Sequence, residues 1–388
     1  MIIAYDTFFL AKQFRNVGIY EYARNLLDEF HAIAAEGNGI SLRYFVLPGY
    51  SDDVVIGKSQ VAGCEPFHTR LLRHDRLWRL GLITGAARRA SADLIFTPSP
   101  NILPIGAIPV AVTIHDAMPK KLPPELVDRS SRLRMAVWLS AKFSQKIITD
   151  SEYSKNDIVE LYDQPPEKVS VVYLGYNQHI FNTSLPDLNA REALLARLGV
   201  RGPYIFHHGM VQLRKNLGRL VKAYDLLRSR RNLDLQLVLA GPFGFGSKQV
   251  IDAARRQIAE GNIIFTGAID SSDLAILLKG ASLCVIPSLY EGFCLPMVEA
   301  MACGAPTVVA NSSCLPEVSG GVLRYFDPLS EEDIAATMEN VLDHSDLQQE
   351  LVSQGLQRTL EFSWRRCALE TLTALTSSNA RVKSASAG

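Results

Sequence analysis

Leu283-Cys-Val-Ile-Pro-Ser-Leu-Tyr-Glu291-Gly-Phe-Cys-Leu-Pro-Met-Val-Glu299-Ala-Met-Ala-Cys-Gly304-Ala-Pro-Thr-Val-Val-Ala310 decides the fold. Its ends are short apolar runs, Leu283–Pro287 and Pro306–Ala310, without polar alternation, which is how strands buried on both faces of a parallel sheet read. Between them lie a loop and a short helix. Pro296 suits the first helical position and Gly304 the position past the helix end, which places Glu299 in the first turn. The loop Glu291–Cys294 then sits beyond the carboxyl end of a parallel strand, against a helix N-terminus whose free N–H groups attract anions. Ligands of open α/β sheets bind in that position. Glu291 and Glu299 cannot be phosphate ligands, but carboxylates accept hydrogen bonds from sugar hydroxyls. The alternative reading makes Glu299 a complement to the helix dipole and Glu291 a solvated loop residue.

The same pattern repeats outward. Ile2–Tyr5, Leu42–Leu47, Asp93–Phe96, Val110–Ile114, Lys146–Thr149 and Val169–Tyr173 read as one series of buried strands. Tyr204–His207, Leu235–Ala240 and Ile263–Phe265 join the two quoted runs in a second. Amphipathic helices alternate with them, one with the stripe Ile19, Tyr22, Ala23, Leu26, Leu27 and Phe30, another with Leu217, Leu220, Val221, Tyr224 and Leu227. Two blocks of strand–helix units predict two doubly wound α/β domains, parting in the polar, turn-rich stretch between Tyr173 and Asp187. Asn379–Gly388 is small and polar and reads as a frayed tail.

The 388 residues suit two or three domains, and a composition 47% hydrophobic and 21% charged supports sizeable cores. Forty basic residues balance forty acidic ones, which argues against a nucleic-acid-coating protein. No apolar stretch has the length of a transmembrane helix, and Met1–Asp6 reads as a buried strand, not a secretory leader. The six cysteines form no C-x-x-C pair and read as reduced, buried thiols of a cytoplasmic protein. The neutral total hides a basic stretch: residues 64–146 hold thirteen Lys or Arg against six Asp or Glu. Within it Arg70, Arg73, Arg76 and Arg79 recur beside leucines and Trp78. A solvated helix face is the default reading; peripheral contact of residues 67–90 with an anionic membrane is the alternative.

A second motif, Gly209-Met-Val-Gln-Leu-Arg214-Lys215-Asn216, follows the Tyr204–His207 strand. Two cations between a strand and a helix suit a diphosphate leaving group, and Asn216 suits the next helix's N-cap; solvated loop cations are the alternative. Gly18 opens the first crossover helix and His115-Asp116 ends the Val110–Ile114 strand. Gly241-Pro-Phe-Gly-Phe-Gly246 lacks dinucleotide-motif spacing, and His207-His208 points two rings to opposite faces, which disfavours a shared metal.

Glu291-Gly-Phe-x-Leu-Pro-x-x-Glu299-Ala-Met-Ala-x-Gly-x-Pro resembles the donor-site signature of glycosyltransferase family 4, retaining enzymes of the GT-B fold. The resemblance implies two Rossmann-like domains facing an interdomain cleft: residues 1–180 on the acceptor side, 181–362 binding the nucleotide sugar, and helix 363–378 returning to the first domain before the 379–388 tail. It implies that Glu291 contacts donor-sugar hydroxyls and Glu299 the ribose. Backbone N–H groups of Phe293, Cys294 and Leu295 would meet the diphosphate. Arg214 and Lys215 resemble the family's phosphate-binding pair, with Met210 where many members carry an Arg. Gly209 belongs to that loop, Gly18 resembles the glycine loop facing the donor, and His115 the histidine lining the sugar and acceptor pocket. The implied reaction moves a hexose, first of all mannose from GDP-mannose, onto a glycan or a polyprenyl-diphosphate-linked saccharide with retention. UDP-hexose and dTDP-rhamnose remain alternatives, as do a sugar epimerase and a catalytically silent binding subunit. No Asp-x-Asp occurs, which fits a site that needs no metal and no cofactor.

Overall fold

The structure, a computed structural model, describes residues 1–10, 18–45, 83–100, 106, 108–127, 131–230 and 234–385. It divides into two compact units, Met1–Lys121 with Ser130–Gly175 and Ser363–Gly388, and Leu122–Arg129 with Tyr176–Phe362.

The first unit is built from β1 (Ile2–Asp6), α1 (Gly18–Ala35), β2 (Ser41–Phe45), α2 (Ile83–Arg89), β3 (Leu94–Thr97), β4 (Val110–Thr113), α3 (Met118–Lys121), α4 (Ser131–Phe143), β5 (Lys146–Thr149), α5 (Glu152–Tyr162) and β6 (Val169–Val171). The strand order is β2-β1-β3-β4-β5-β6, every pair parallel. Ile3 sits opposite Leu42 on one side and Leu94 on the other. Tyr22, Ala23, Leu26, Leu27 and Phe30 bury the stripe of α1 against this sheet, while Ile19 at its start is only half-buried. Tyr5 packs edge-on against Phe30 and Phe96 and donates its hydroxyl to the Ala23 carbonyl at 2.7 Å. Full burial of each such large side chain contributes roughly 1.5–3 kcal/mol.

The second unit runs α6 (Leu188–Leu198), β7 (Tyr204–His208), α7 (Leu217–Arg230), β8 (Gln236–Ala240), α8 (Ser247–Ala259), β9 (Ile263–Gly267), α9 (Ser271–Gly280), β10 (Leu283–Ile286), α10 (Leu295–Ala302), β11 (Thr307–Ala310), α11 (Leu315–Ser319), β12 (Arg324–Phe326), α12 (Glu331–Asp343) and α13 (Ser345–Thr359). Its strand order is β12-β11-β10-β7-β8-β9, again all parallel. From β7 the chain winds outward through β8 and β9, then returns to lay β10 on the other side of β7. That reversal opens a crevice at the carboxyl ends of β7 and β10, the usual ligand position in such sheets.

The last helix, α14 (Trp364–Ala385), belongs to the first unit, as the expected return helix would. Trp364 leans on Tyr22 of α1, Arg365 pairs with Glu29 and Glu36, and Cys367, Ala368 and Leu375 are fully buried. Gly175 is required here, because a Cβ on it would lie 2.1 Å from the backbone nitrogen of Trp364.

Three local readings are corrected. The helix continues through Asn379–Ala385, where no Pro or Gly interrupts it. β12 was not anticipated, being three residues at a sheet edge with Arg324 exposed. Pro296 is the second residue of α10, not the first, and Glu299 the fifth, outside the first turn, because Cys294 takes the capping position with φ +74°. Five cysteines, Cys284, Cys294, Cys303, Cys314 and Cys367, are buried and free as expected, while Cys64 lies outside the described residues.

Candidate functional site

The crevice of the second unit is shaped by three loops. The loop after β7 begins at Gly209, whose φ of +131° favours glycine, and turns through Leu213–Lys215. Asn216 directly precedes α7 but does not cap it with its side chain. It adopts φ +60°, its amide donates to the Pro328 carbonyl at 2.7 Å, and its carbonyl oxygens serve Arg219 and Leu220.

The glycine-rich loop after β8 braces this segment. Val211 N donates to Pro242 O at 2.9 Å, Gly244 N to Val211 O at 2.9 Å, and Leu213 N to Phe245 O at 3.2 Å. A Cβ on Gly241 would lie 2.1 Å from Gly209 O, and one on Gly244 would lie 2.6 Å from Met210 Sδ. Gly241-Pro-Phe-Gly-Phe-Gly246 is therefore a packing surface for the cation loop, with Met210 held against Gly244. The three glycines were the available signal for that role.

The loop after β10 brings the acid. Lys215 Nζ donates to Glu291 Oε1, and Arg214 Nη1 donates to Glu291 Oε2 and to Tyr290 O, both at 2.9 Å. Leu289 N donates to Arg214 O, and Glu291 N donates to Ser313 Oγ at 3.0 Å, which ties in the loop after β11. Glu291 and Lys215 are buried, 5% and 6% exposed. Burial pushes the Glu291 carboxyl up, but Lys215 and then Arg214 outweigh it and hold its pKa at about 2. Two cations and one carboxylate leave the cluster one positive charge in excess, beside the N-terminus of α10. Such an array can bind an anion and stabilise charge growing on a departing diphosphate.

Phe293 is buried edge-on against Phe362, while Cys294 and Leu295 begin α10. Burial, then the Glu291 charge, pushes the Cys294 thiol up to about 12, so this cysteine is not a nucleophile at neutral pH. Glu299 lies further along α10, and its Oε2 accepts from His208 Nε2 at 2.9 Å. His207 points to the opposite face and donates Nδ1–H to Val285 O at 2.9 Å. Burial lowers its pKa to about 3, so the ring is neutral. His207, His208, Ser313 and Tyr290 were not anticipated as site residues; only the paired histidines carried a sequence signal, and that was weighed for metal alone. Among the described residues no group of three or more His, Cys, Asp or Glu gathers as metal ligands would.

Gly18 and His115 belong to the first unit. Gly18 is the first residue of α1, and a Cβ there would meet nothing within 4 Å; Asn16 and Val17 lie outside the described residues. His115, at the carboxyl edge of β4, donates Nδ1–H to Asp150 Oδ2 at 2.7 Å and Nε2–H to Pro98 O at 3.0 Å. Burial lowers its pKa, but the charge and hydrogen bond of Asp150, then Asp116 and the Pro98 carbonyl, leave it raised. The Tyr22 ring stands edge-on to it at 4.8 Å. A histidine with both nitrogens donating to the protein has no free nitrogen to take a proton. Any role near substrate runs through its charge and ring.

The profile for glycosyl transferases group 1 matches residues 196–358, and that for Glycosyltransferase Family 4 matches residues 22–180. The chain thus carries a family 4 glycosyltransferase domain in its first half and a group 1 glycosyl transferase domain in its second. O-antigen chain mannosyltransferase B of Escherichia coli is 30% identical over 251 residues, 64% of this chain and 64% of that one. Matches to other Escherichia coli mannosyltransferases cover as little as 26% of their length, so the chain spans only part of the curated relatives it matches. The sucrose-phosphate synthase of Thermosynechococcus elongatus superposes with a TM-score of 0.74 at 18% identity, over 98% of this chain and 100% of that one. Anabaena Alr3699/HepE, in complex with UDP and glucose, does so with 0.71 at 18% identity, over 97% and 100%. The fold of the chain is thus the GT-B fold.

Proposed function

We propose that this protein is a retaining hexosyltransferase of family 4 that moves mannose from GDP-mannose onto a hydroxyl of a glycan or polyprenyl-diphosphate-linked saccharide in cell-surface polysaccharide synthesis. The observation that carries it is the buried Lys215–Glu291–Arg214 cluster at the β7/β10 crevice, beside the N-terminus of α10. As the glycosidic bond breaks, negative charge grows on the leaving nucleoside diphosphate, and Lys215, Arg214 and the helix N-terminus stabilise it. Glu291 accepts from sugar hydroxyls, Glu299 from the ribose, and the N–H groups around Phe293, Cys294 and Leu295 face the diphosphate. No metal ion or cofactor takes part, since the leaving-group charge is met by side chains and a helix end.

The mannose reading is supported by the mannosyltransferase names of the relatives, and the nucleotide-sugar reading by the UDP complex of a structural neighbour. Work on the cytoplasmic side of a membrane suits a lipid-linked acceptor. Of residues 67–90, Arg70, Arg73, Arg76 and Arg79 lie outside the described residues. Peripheral contact draws support from α4, which carries no Asp or Glu and exposes Met135, Trp138 and Phe143, with Lys142 Nζ 5.2 Å from the Trp138 ring centre. No helix among the described residues is long and apolar enough to cross a membrane.

A panel of GDP-mannose, UDP-hexoses and dTDP-rhamnose, with NMR of the product's anomeric proton, tests the reading. Transfer from GDP-mannose with an α-linked product is expected. An inverted product contradicts the retaining mechanism. Epimerised free donor marks an epimerase, and binding without turnover marks a silent subunit.

A further inference from the structure

We propose that His208 is a positioning residue for the nucleoside end of the donor, committing one oxygen of Glu299 to the protein so that the other faces the ribose. This rests on the reading above that Glu299 takes the ribose.

His208 is the last residue of β7 and is buried, 4% exposed. Its imidazole lies nearly parallel to the Phe206 ring, 13° between planes and 5.9 Å between centres, two residues earlier on the same strand face. That stacking fixes the plane in which Nε2–H reaches Glu299 Oε2 at 2.9 Å. The other ring nitrogen, Nδ1, is buried with no hydrogen-bond partner, so among the described residues Glu299 is the ring's one hydrogen-bond partner. Glu299 needs such a partner. It is the fifth residue of α10, beyond the first turn where the helix end would orient a carboxylate. It is also the more open member of the pair, its side chain 17% exposed against 5% for His208. A carboxylate held through Oε2 presents Oε1 in one direction, and the freedom it would lose on gripping a ribose diol is already lost in the free protein. Strand order makes the pairing possible: β10, whose loop leads into α10, lies beside β7.

The test is calorimetric titration of GDP, and of its 2′,3′-dideoxy analogue, into wild-type protein, His208→Phe, His208→Gln, Glu299→Ala and the His208→Phe/Glu299→Ala double variant. Phe keeps the ring stacked on Phe206 and removes the donor; Gln returns an N–H. Releasing one preorganised side chain should weaken GDP binding by about five- to tenfold in His208→Phe and shrink the preference for GDP over the dideoxy analogue by a similar factor. His208→Gln should restore both, and His208→Phe should add nothing in the Glu299→Ala background. Full additivity in the double variant, or unchanged GDP affinity in His208→Phe while Glu299→Ala weakens it, overturns the positioning role alone. Unchanged GDP affinity in Glu299→Ala overturns the ribose reading of Glu299 and the inference with it. Thermal melts of each variant separate these outcomes from misfolding.

Discussion

Glu291 makes its ion pairs with residues 76 and 77 positions away, and they are its most consequential contacts. The motifs around Arg214, Lys215 and Glu291 were legible separately. That the three form one cluster was not, because it depends on β10 returning to the side of β7. The cluster has a pH signature. The folded-state pKa of Glu291, about 2, lies below its ordinary 4.5, so its stabilisation is present above 4.5 and lost as pH falls toward 2. Glu291→Gln should cost about 3 kcal/mol at neutral pH, since it strands two half-buried or buried cations. Guanidinium unfolding at a series of pH values should show that gap narrowing below pH 4.5; a gap constant down to pH 3 contradicts the pairing. His208 shows what residue patterns miss: a histidine pair was legible, but not the helix that supplies its acid.

At the scale of elements, the buried parallel strands were readable because their Val, Ile and Leu runs have no second environment in which to bury both faces. Ends were less readable. Cys294 and Asn216, both left-handed, shift the starts of α10 and α7 by a residue or change how they are capped, and neither is the glycine that would signal it. The role of Gly241–Gly246 was hidden because it is defined by a neighbouring loop. Helix α4 carries an element-level prediction. Wild-type protein should co-sediment with phosphatidylglycerol-containing vesicles, and Trp138→Ala with Lys142→Glu should reduce that several-fold, the charge alone contributing about 1 kcal/mol per basic residue near the surface. Both side chains are exposed, so the fold should persist. Equal sedimentation of the variant rules out α4 as the contact.

For the whole molecule, two doubly wound sheets follow from repeated strand–helix units, and the placement of α14 on the first unit from its apolar face and Arg365. The zero net charge says little about either unit. Within the second, two cations and one acid gather in a buried crevice; within the first, His115 is held between Asp150 and Pro98. In the proposed function, Lys215 of the second unit holds a diphosphate as it leaves. Steady-state transfer from GDP-mannose by Lys215→Ala, with circular dichroism to verify folding, tests this most directly. Loss of transfer by at least about a thousandfold, the scale of removing a transition-state donor, is the predicted result. A folded Lys215→Ala protein with near-normal turnover would contradict it.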